Sequence, residues 1–230
     1  MNFTHKQSSE HIFSYKRRKY ISSTDKAILR LVEYVGHHTG NRKDLKILDI
    51  GCGLGELLYF LDSKGYNVIG IDSDPNCVEI SNKRKNLAIK LDANDIDKKF
   101  KQDSFNIIIF SHSFEHFNNP LELIEKVKKI GKYFIFAIPN PIRPFVIKQS
   151  IFRHDYSNYG HFCCWDRSHF RVFLERRCKL NIIKWEKDEV CFSNGFIGGI
   201  LRRIGLKFIE EKILTKIIPY FSSCLIVLTH

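Results

Sequence analysis

"LKILDIGCGLGE", residues 45–56, sets an apolar strand directly against a turn that holds three glycines. The strand runs from Leu45 to Ile50. A helix is expected over about 54–64, with Gly65 in the left-handed position that stops it. Glycines at 51, 53 and 55 let a ligand lie against the backbone, close to the N-terminus of that helix. A dinucleotide site asks for G-x-G-x-x-G, but the last position of that frame is Glu56, whose carboxylate would repel a pyrophosphate. The P-loop lysine is missing as well. Asp49 also opposes a phosphate, and it suits a ligand bearing an ammonium or sulfonium group.

Outward from this turn, apolar strands alternate with helical segments. "NVIGID" (67–72) is the second strand, and Asp74-Pro75 opens a helix with an N-cap residue followed by proline. "LAIKLD" (87–92) and "FNIIIFS" (105–111) are the third and fourth strands. Asn119-Pro120 starts the helix "PLELIEKVKKI", which Gly131 is expected to end, and "YFIFAIP" (133–139) is the fifth strand. This order predicts a parallel sheet with helices on both faces. "LNIIKWEKDEV" (180–190) and "SCLIVLTH" (223–230) read as an antiparallel pair closing the sheet edge. Upstream, residues 8–36 read as one or two helices, with Ala27, Ile28, Leu31, Val32 and Val35 on one face.

Three acids then fall at the carboxyl ends of successive strands, where open α/β sheets bind ligands: Asp49, Asp72 and Asp92. Asp72 lies 17 residues beyond Gly55, where a carboxylate accepts hydrogen bonds from ribose hydroxyls. Asp92, with the N–H of Ala93, offers an acceptor and a donor for an adenine edge.

On these residues the stretch 45–139 resembles the core of the class I S-adenosylmethionine-dependent methyltransferases. The D-x-G-x-G-x-G loop stands as Asp49 to Gly55, followed by the ribose acid Asp72 and the adenine-side acid Asp92. "SHSFEHFNNP" after the fourth strand is similar to the segment found in the ubiquinone-type and methionine-biosynthesis-W-like branches. The resemblance implies a Rossmann-like fold, with a mostly parallel seven-stranded sheet and an antiparallel last strand. It implies S-adenosyl-L-methionine as cofactor, held by Asp49, Gly51, Gly53, Gly55, Asp72, Ser73, Asp92, Ala93 and Ser111, and methyl transfer to an acceptor, with oxygen as the expected atom. It further implies a methyltransferase domain over 45–230 after an N-terminal helical segment, 1–44.

Residues 112–116 also spell His-x-x-Glu-His, a zinc-protease pattern. That chemistry needs both histidines on one helical face. Here the pattern directly follows a strand, and the next helix begins only at Pro120. The resemblance instead puts Ser111 and His112 beside the methionyl part of the cofactor and His116 at the mouth of the acceptor pocket, with His116 and His112 as catalytic candidates. His116 has three readings: a general base, a metal ligand with Glu115, or a loop-positioning residue. In the ubiquinone-type branch a Glu-x-x-Glu-His arrangement is associated with a divalent metal, but here His112 replaces the first Glu, and no metal site is assigned.

Residues 140–170, rich in aromatics and histidine, are expected to cover the substrate. Tyr156, Tyr159, Phe162 and Trp165 would shape an apolar pocket, and Arg167 and Arg171 would meet an anionic substrate group. His154, Asp155, His161, Cys163, Cys164, Asp166 and His169 match no tight zinc-ligand spacing.

The formal charge of +12 fits two readings: attraction to an anionic partner, or a lysine-rich background spread along the chain. "YKRRKY" (15–20) and "GILRRIGLKF" (199–208) keep an RNA methyltransferase as an alternative. The resemblance to the methionine-biosynthesis-W-like branch keeps a protein acting through a partner as a second alternative, and a basic amphipathic helix over 196–218 would suit a partner protein or an anionic membrane surface. The expected acceptor is a small molecule or a lipid- or sugar-linked metabolite. Seven irregularly spaced cysteines and a start without an apolar leader give a cytoplasmic expectation, with the oligomeric state left open.

Overall fold

The computed structural model describes residues 21–42, 44–142, 160–188, 222 and 224–230. The basic stretch 15–20, most of the expected cover (143–159) and the expected helix 196–218 lie outside the described residues.

Helix α1, Ser23–Thr39, is opened by a capping box in which Ser22 and Asp25 exchange side-chain and backbone hydrogen bonds. Its five expected apolar residues are all buried. There follow β1 (Lys46–Ile50), α2 (Glu56–Ser63), β2 (Asn67–Asp72), α3 (Pro75–Asn82) and β3 (Ala88–Lys90). The short α4 (Ile96–Lys99) precedes β4 (Phe105–Ser111), α5 (Pro120–Val127) and β5 (Gly131–Pro139). Beyond the cover segment come α6 (Arg167–Val172), running into a π-helical turn over Phe173–Arg177, then β6 (Ile182–Glu186) and β7 (Cys224–Thr229).

The seven strands lie in the order β3-β2-β1-β4-β5-β7-β6. β1 to β5 pair in parallel, and β7 runs antiparallel to both β5 and β6, as expected. Because strand side chains alternate between faces, the sheet builds two cores. Leu48, Ile108, Phe134 and Phe136 pack with Leu123, Ile124 and Val127 of α5 and with Phe170 of α6. Ile47, Ile107, Ile109 and Ile135 pack on the other face with α1 and with Leu57, Leu58 and Leu61 of α2. The chain order reverses between β1 and β4, and that switch point opens a crevice at the strands' carboxyl ends.

Two local expectations differ from the structure. α5 ends at Val127, so Gly131 does not terminate it but begins β5. A Cβ at 131 would come within 2.5 Å of Ile108 Cδ1, so the glycine serves a close inter-strand approach. β3 stops at Lys90, and Asp92 N-caps a 3₁₀ turn over Ala93–Asp95 instead of ending the strand.

Candidate functional site

The loop after β1 is tied down by its neighbours. Gly51 and Cys52 both donate their N–H to the Ile71 carbonyl, at 2.8 and 3.0 Å. Gly53 donates to Asp72 Oδ2 at 2.8 Å, while Asp72 Oδ1 accepts the Asp74 N–H at 2.9 Å. Asp72 thus spans two loops through its two carboxylate oxygens. Gly51, Gly53 and Gly55 all have positive φ. A Cβ at Gly53 would meet nothing within 4 Å, so the space beside this part of the loop is open.

Asp49 is 2% exposed, and its Oδ1 has no hydrogen-bond partner. Burial first, then the Asp25 and Asp72 carboxylates, pushes its carboxyl up to about 8. A cationic ligand beside the loop relieves such a site, whereas a phosphate would worsen it. Further along the same edge, Ser73 is exposed after β2. Asp92 is exposed, with Oδ1 accepting the Asn94 N–H at 2.8 Å, and Ala93 is buried beside it. Ser111 ends β4, half-buried. The nine residues expected to hold the cofactor therefore all lie at or just past the carboxyl ends of β1 to β4. A glycine cradle, an orphaned buried carboxylate oxygen and a spanning Asp72 fit the cationic, ribose-bearing cofactor.

The histidine segment is not one helix. His112 sits at the end of β4 with φ 54°, and Phe114–His116 form a separate 3₁₀ turn, so the protease geometry is absent. His112 Nε2 lies 3.3 Å from Cys224 Sγ, and its Nδ1 is 4.0 Å from Glu115 Oε1. Glu115 is 2% exposed with Oε2 unpartnered, and burial pushes its carboxyl up, opposed by His112. The Glu115 carbonyl accepts the N–H groups of Phe162 and Cys163. His116 Nδ1 lies 2.6 Å from the Gly160 carbonyl, which accepts only, so Nδ1 carries the proton and Nε2 keeps its lone pair. Burial holds His116 below the ordinary histidine range, against the raising effect of that hydrogen bond. His161 stacks edge-on at 4.9 Å, and ligand-type atoms of Glu115, His116 and His161 lie within 4.8 Å of one another.

The other cover candidates divide. Trp165 packs against Phe114 and Phe173, and Phe162 is 63% exposed. Arg167 lies over the Trp185 ring, and Arg171 pairs with Glu175 at 3.1 Å, so both cations have partners within the protein. Asp166 caps α6 through the N–H groups of Ser168 and His169. His154, Asp155, Tyr156 and Tyr159 lie outside the described residues.

Sequence reading missed Asp25, which acts on Asp49 from α1, and Cys224, which touches His112. Only the Ser22-x-x-Asp25 spacing marked the first, and it signals a cap. Nothing local marked the second.

A family model for a methyltransferase domain matches residues 14–177. The chain belongs to the class I S-adenosylmethionine-dependent methyltransferases. It is 25% identical over 115 residues to the ubiquinone biosynthesis O-methyltransferase of Rickettsia bellii, covering 47% of this chain and 48% of that one. The chain thus spans about half the length of the curated relatives first matched. In fold it is similar to a SAM-dependent methyltransferase from Archaeoglobus fulgidus, with TM-score 0.59 and 20% identity, covering 86% and 92% of the two chains. It is also similar to magnesium protoporphyrin IX methyltransferase from Synechocystis PCC 6803 with bound SAH, with TM-score 0.63, 13% identity and coverage of 99% and 94%. No described helix of this methyltransferase is long and apolar enough to cross a membrane.

Proposed function

We propose that this methyltransferase moves the methyl group of S-adenosylmethionine to a hydroxyl oxygen on a small molecule or a lipid- or sugar-linked metabolite. The observation that carries the reading is the orphaned, buried Asp49 beside an open glycine loop, which matches a cationic ligand. When bound, the cofactor supplies a methyl group already activated by a positively charged sulfur. Asp72 binds the ribose hydroxyls, with Ser73 beside it. Asp92 and the Ala93 N–H read the adenine edge, and Ser111 lines the methionyl end. The protein's main contribution is to hold acceptor oxygen, methyl and sulfur in line.

On the acceptor side, His116 takes the hydroxyl proton at Nε2, because its Nδ1 proton is committed to Gly160. His112, 44% exposed at the end of β4, orients the acceptor from the other side of the turn. Oxygen as the acceptor atom is supported by the similarity to the Rickettsia bellii O-methyltransferase, at 25% identity. The domain reading of 45–230 after a helical 1–44 is also ours, as is the covering role of 140–170.

Calorimetry tests the cofactor half: S-adenosylmethionine and its demethylated product bind, and Asp72→Ala weakens both at least tenfold. No binding to the unsubstituted protein overturns the reading. Tritiated methyl donor tests the acceptor half. Label recovered on hydroxyl-bearing metabolites supports it, and label recovered only on RNA, with salt-sensitive yield, overturns it.

A further inference from the structure

His112 is held by contacts from distant parts of the chain. Its backbone sits at φ 54°, a conformation that non-glycine residues rarely hold, and its N–H donates to the Ala137 carbonyl of β5 at 2.8 Å. At the other end of the residue, Nε2 lies 3.3 Å from Sγ of Cys224, the first residue of β7. Cys224 is 3% exposed, and its sulfur also meets Oγ1 of Thr24, in the first turn of α1, at 3.6 Å. Thr24 is buried in turn, and its hydroxyl donates to Oδ2 of the buried Asp188, just beyond β6, at 3.5 Å. A row of polar groups thus runs from Asp188 through Thr24 and Cys224 to the ring of His112.

Each link of the row has a direction, because a hydroxyl and a thiol carry one hydrogen each. The Thr24 hydrogen goes to Asp188, so toward Cys224 the Thr24 oxygen accepts and the thiol donates. With its hydrogen committed to Thr24, the Cys224 sulfur accepts from the ring, and His112 Nε2 carries the proton. In the neutral imidazole the lone pair then falls on Nδ1, which lies 4.0 Å from Glu115 Oε1, beyond hydrogen-bonding distance. This is the opposite tautomer to that of His116, whose proton is on Nδ1.

We propose that Thr24 and Cys224 are positioning residues for the acceptor site, fixing the neutral His112 ring with its proton on Nε2 so that the Nδ1 lone pair receives a hydrogen-bond donor of the methyl acceptor. The proposal rests on the reading above in which His112 orients the acceptor. The two histidines then divide the work: His116 takes the proton of the reacting hydroxyl, and His112 accepts a hydrogen bond from a second donor group on the same molecule.

Nitrogen-15 NMR of the histidine rings tests this on the full chain at alkaline pH, where the rings are neutral, with His112→Gln identifying the His112 signals. Expected for the unsubstituted protein is one His112 tautomer, protonated on Nε2. Thr24→Val removes the oxygen that accepts the thiol hydrogen and leaves Cys224 able to donate to the ring, so part of the ring proton should move to Nδ1. Thr24→Ser keeps the hydroxyl and should restore the unsubstituted spectrum. With tritiated methyl donor and a metabolite extract, Thr24→Val should give several-fold less label on hydroxyl-bearing metabolites at unchanged affinity for the demethylated cofactor. Thr24→Ser should recover that yield. A His112 proton on Nδ1 in the unsubstituted protein, which needs no folded variant to be seen, overturns the proposal, and so does a Thr24→Val spectrum that overlays the unsubstituted one. A tautomer that shifts as expected while the label yield stays the same overturns the orienting role of His112 beneath it instead.

Discussion

Gly53 and Gly55 separate two jobs that a glycine loop performs. Both lie in the left-handed region, with φ 53° and 80°, where an alanine costs about 1–2 kcal/mol. The added Cβ meets different surroundings. At Gly53 it meets nothing within 4 Å, so the backbone cost stands alone. At Gly55 it falls 2.2 Å from Ser81 Oγ, 3.2 Å from Ser81 Cβ and 3.3 Å from Tyr59 Cε2. Ser81 is fully buried, and its carbonyl accepts the Tyr59 hydroxyl, so the collision has little room to relax. Overpacking of this kind adds about 1–3 kcal/mol, for a total of roughly 2–5 kcal/mol at Gly55. If the open space at Gly53 is where the cofactor lies, a methyl group there occupies ligand volume. Gly53→Ala should then lose at least about tenfold in cofactor affinity while staying the more stable variant. Urea unfolding and calorimetry with the demethylated cofactor read the two quantities separately. A Gly53→Ala protein that binds as the unsubstituted one does would refute the assignment of that space. A Gly55→Ala protein no less stable than Gly53→Ala would refute the packing argument.

Burial favours neutral His116, so its protonation midpoint in the folded protein lies below the ordinary value of about 6.5. Its contribution to stability is complete above that ordinary value and is lost as pH falls through the lowered one, which acid titration of the melting temperature checks. The methyl-transfer rate should rise with pH along the same lowered limb, and His116→Ala should cut turnover by about 10²–10⁴. A variant with normal turnover removes the base role. Gly131→Ala places a Cβ 2.5 and 2.7 Å from Ile108 Cδ1 and Cγ1, at a point where both residues are buried. It should cost about 1–3 kcal/mol, with partial recovery in a double variant carrying Ile108→Val. Equal melting temperatures for Gly131→Ala and the unsubstituted protein would count against the close approach.

The two halves of the crevice differ in how the chain builds them. Most of the cofactor side comes from the ends of the consecutive strands β1, β2 and β3, tied by short-range bonds such as Gly53 to Asp72, 19 residues apart. Glycine spacing, strand periodicity and an acid at each strand end are short-range patterns, so the placement of Asp49, Gly51, Gly53, Gly55 and Asp72 along the strands' carboxyl edge is legible in the sequence. Asp92 was placed correctly at the edge but read as the end of a longer strand, because "LAIKLD" alternates beyond the point where β3 stops pairing. Gly131 was misread for a related reason: glycine stops helices and also admits close strands, and only Ile108 across the sheet decides between the two. The acceptor side is assembled from distant segments. His116 meets Gly160 across 44 residues, and His112 meets Cys224 across 112. No periodicity encodes such contacts, because they depend on where the sheet carries each segment. A methyltransferase sheet can therefore keep its cofactor half readable in short motifs while its acceptor half changes through single residues on elements far apart in the chain. That is why His112 and His116 are the positions where substitution tests most of what is particular to this protein.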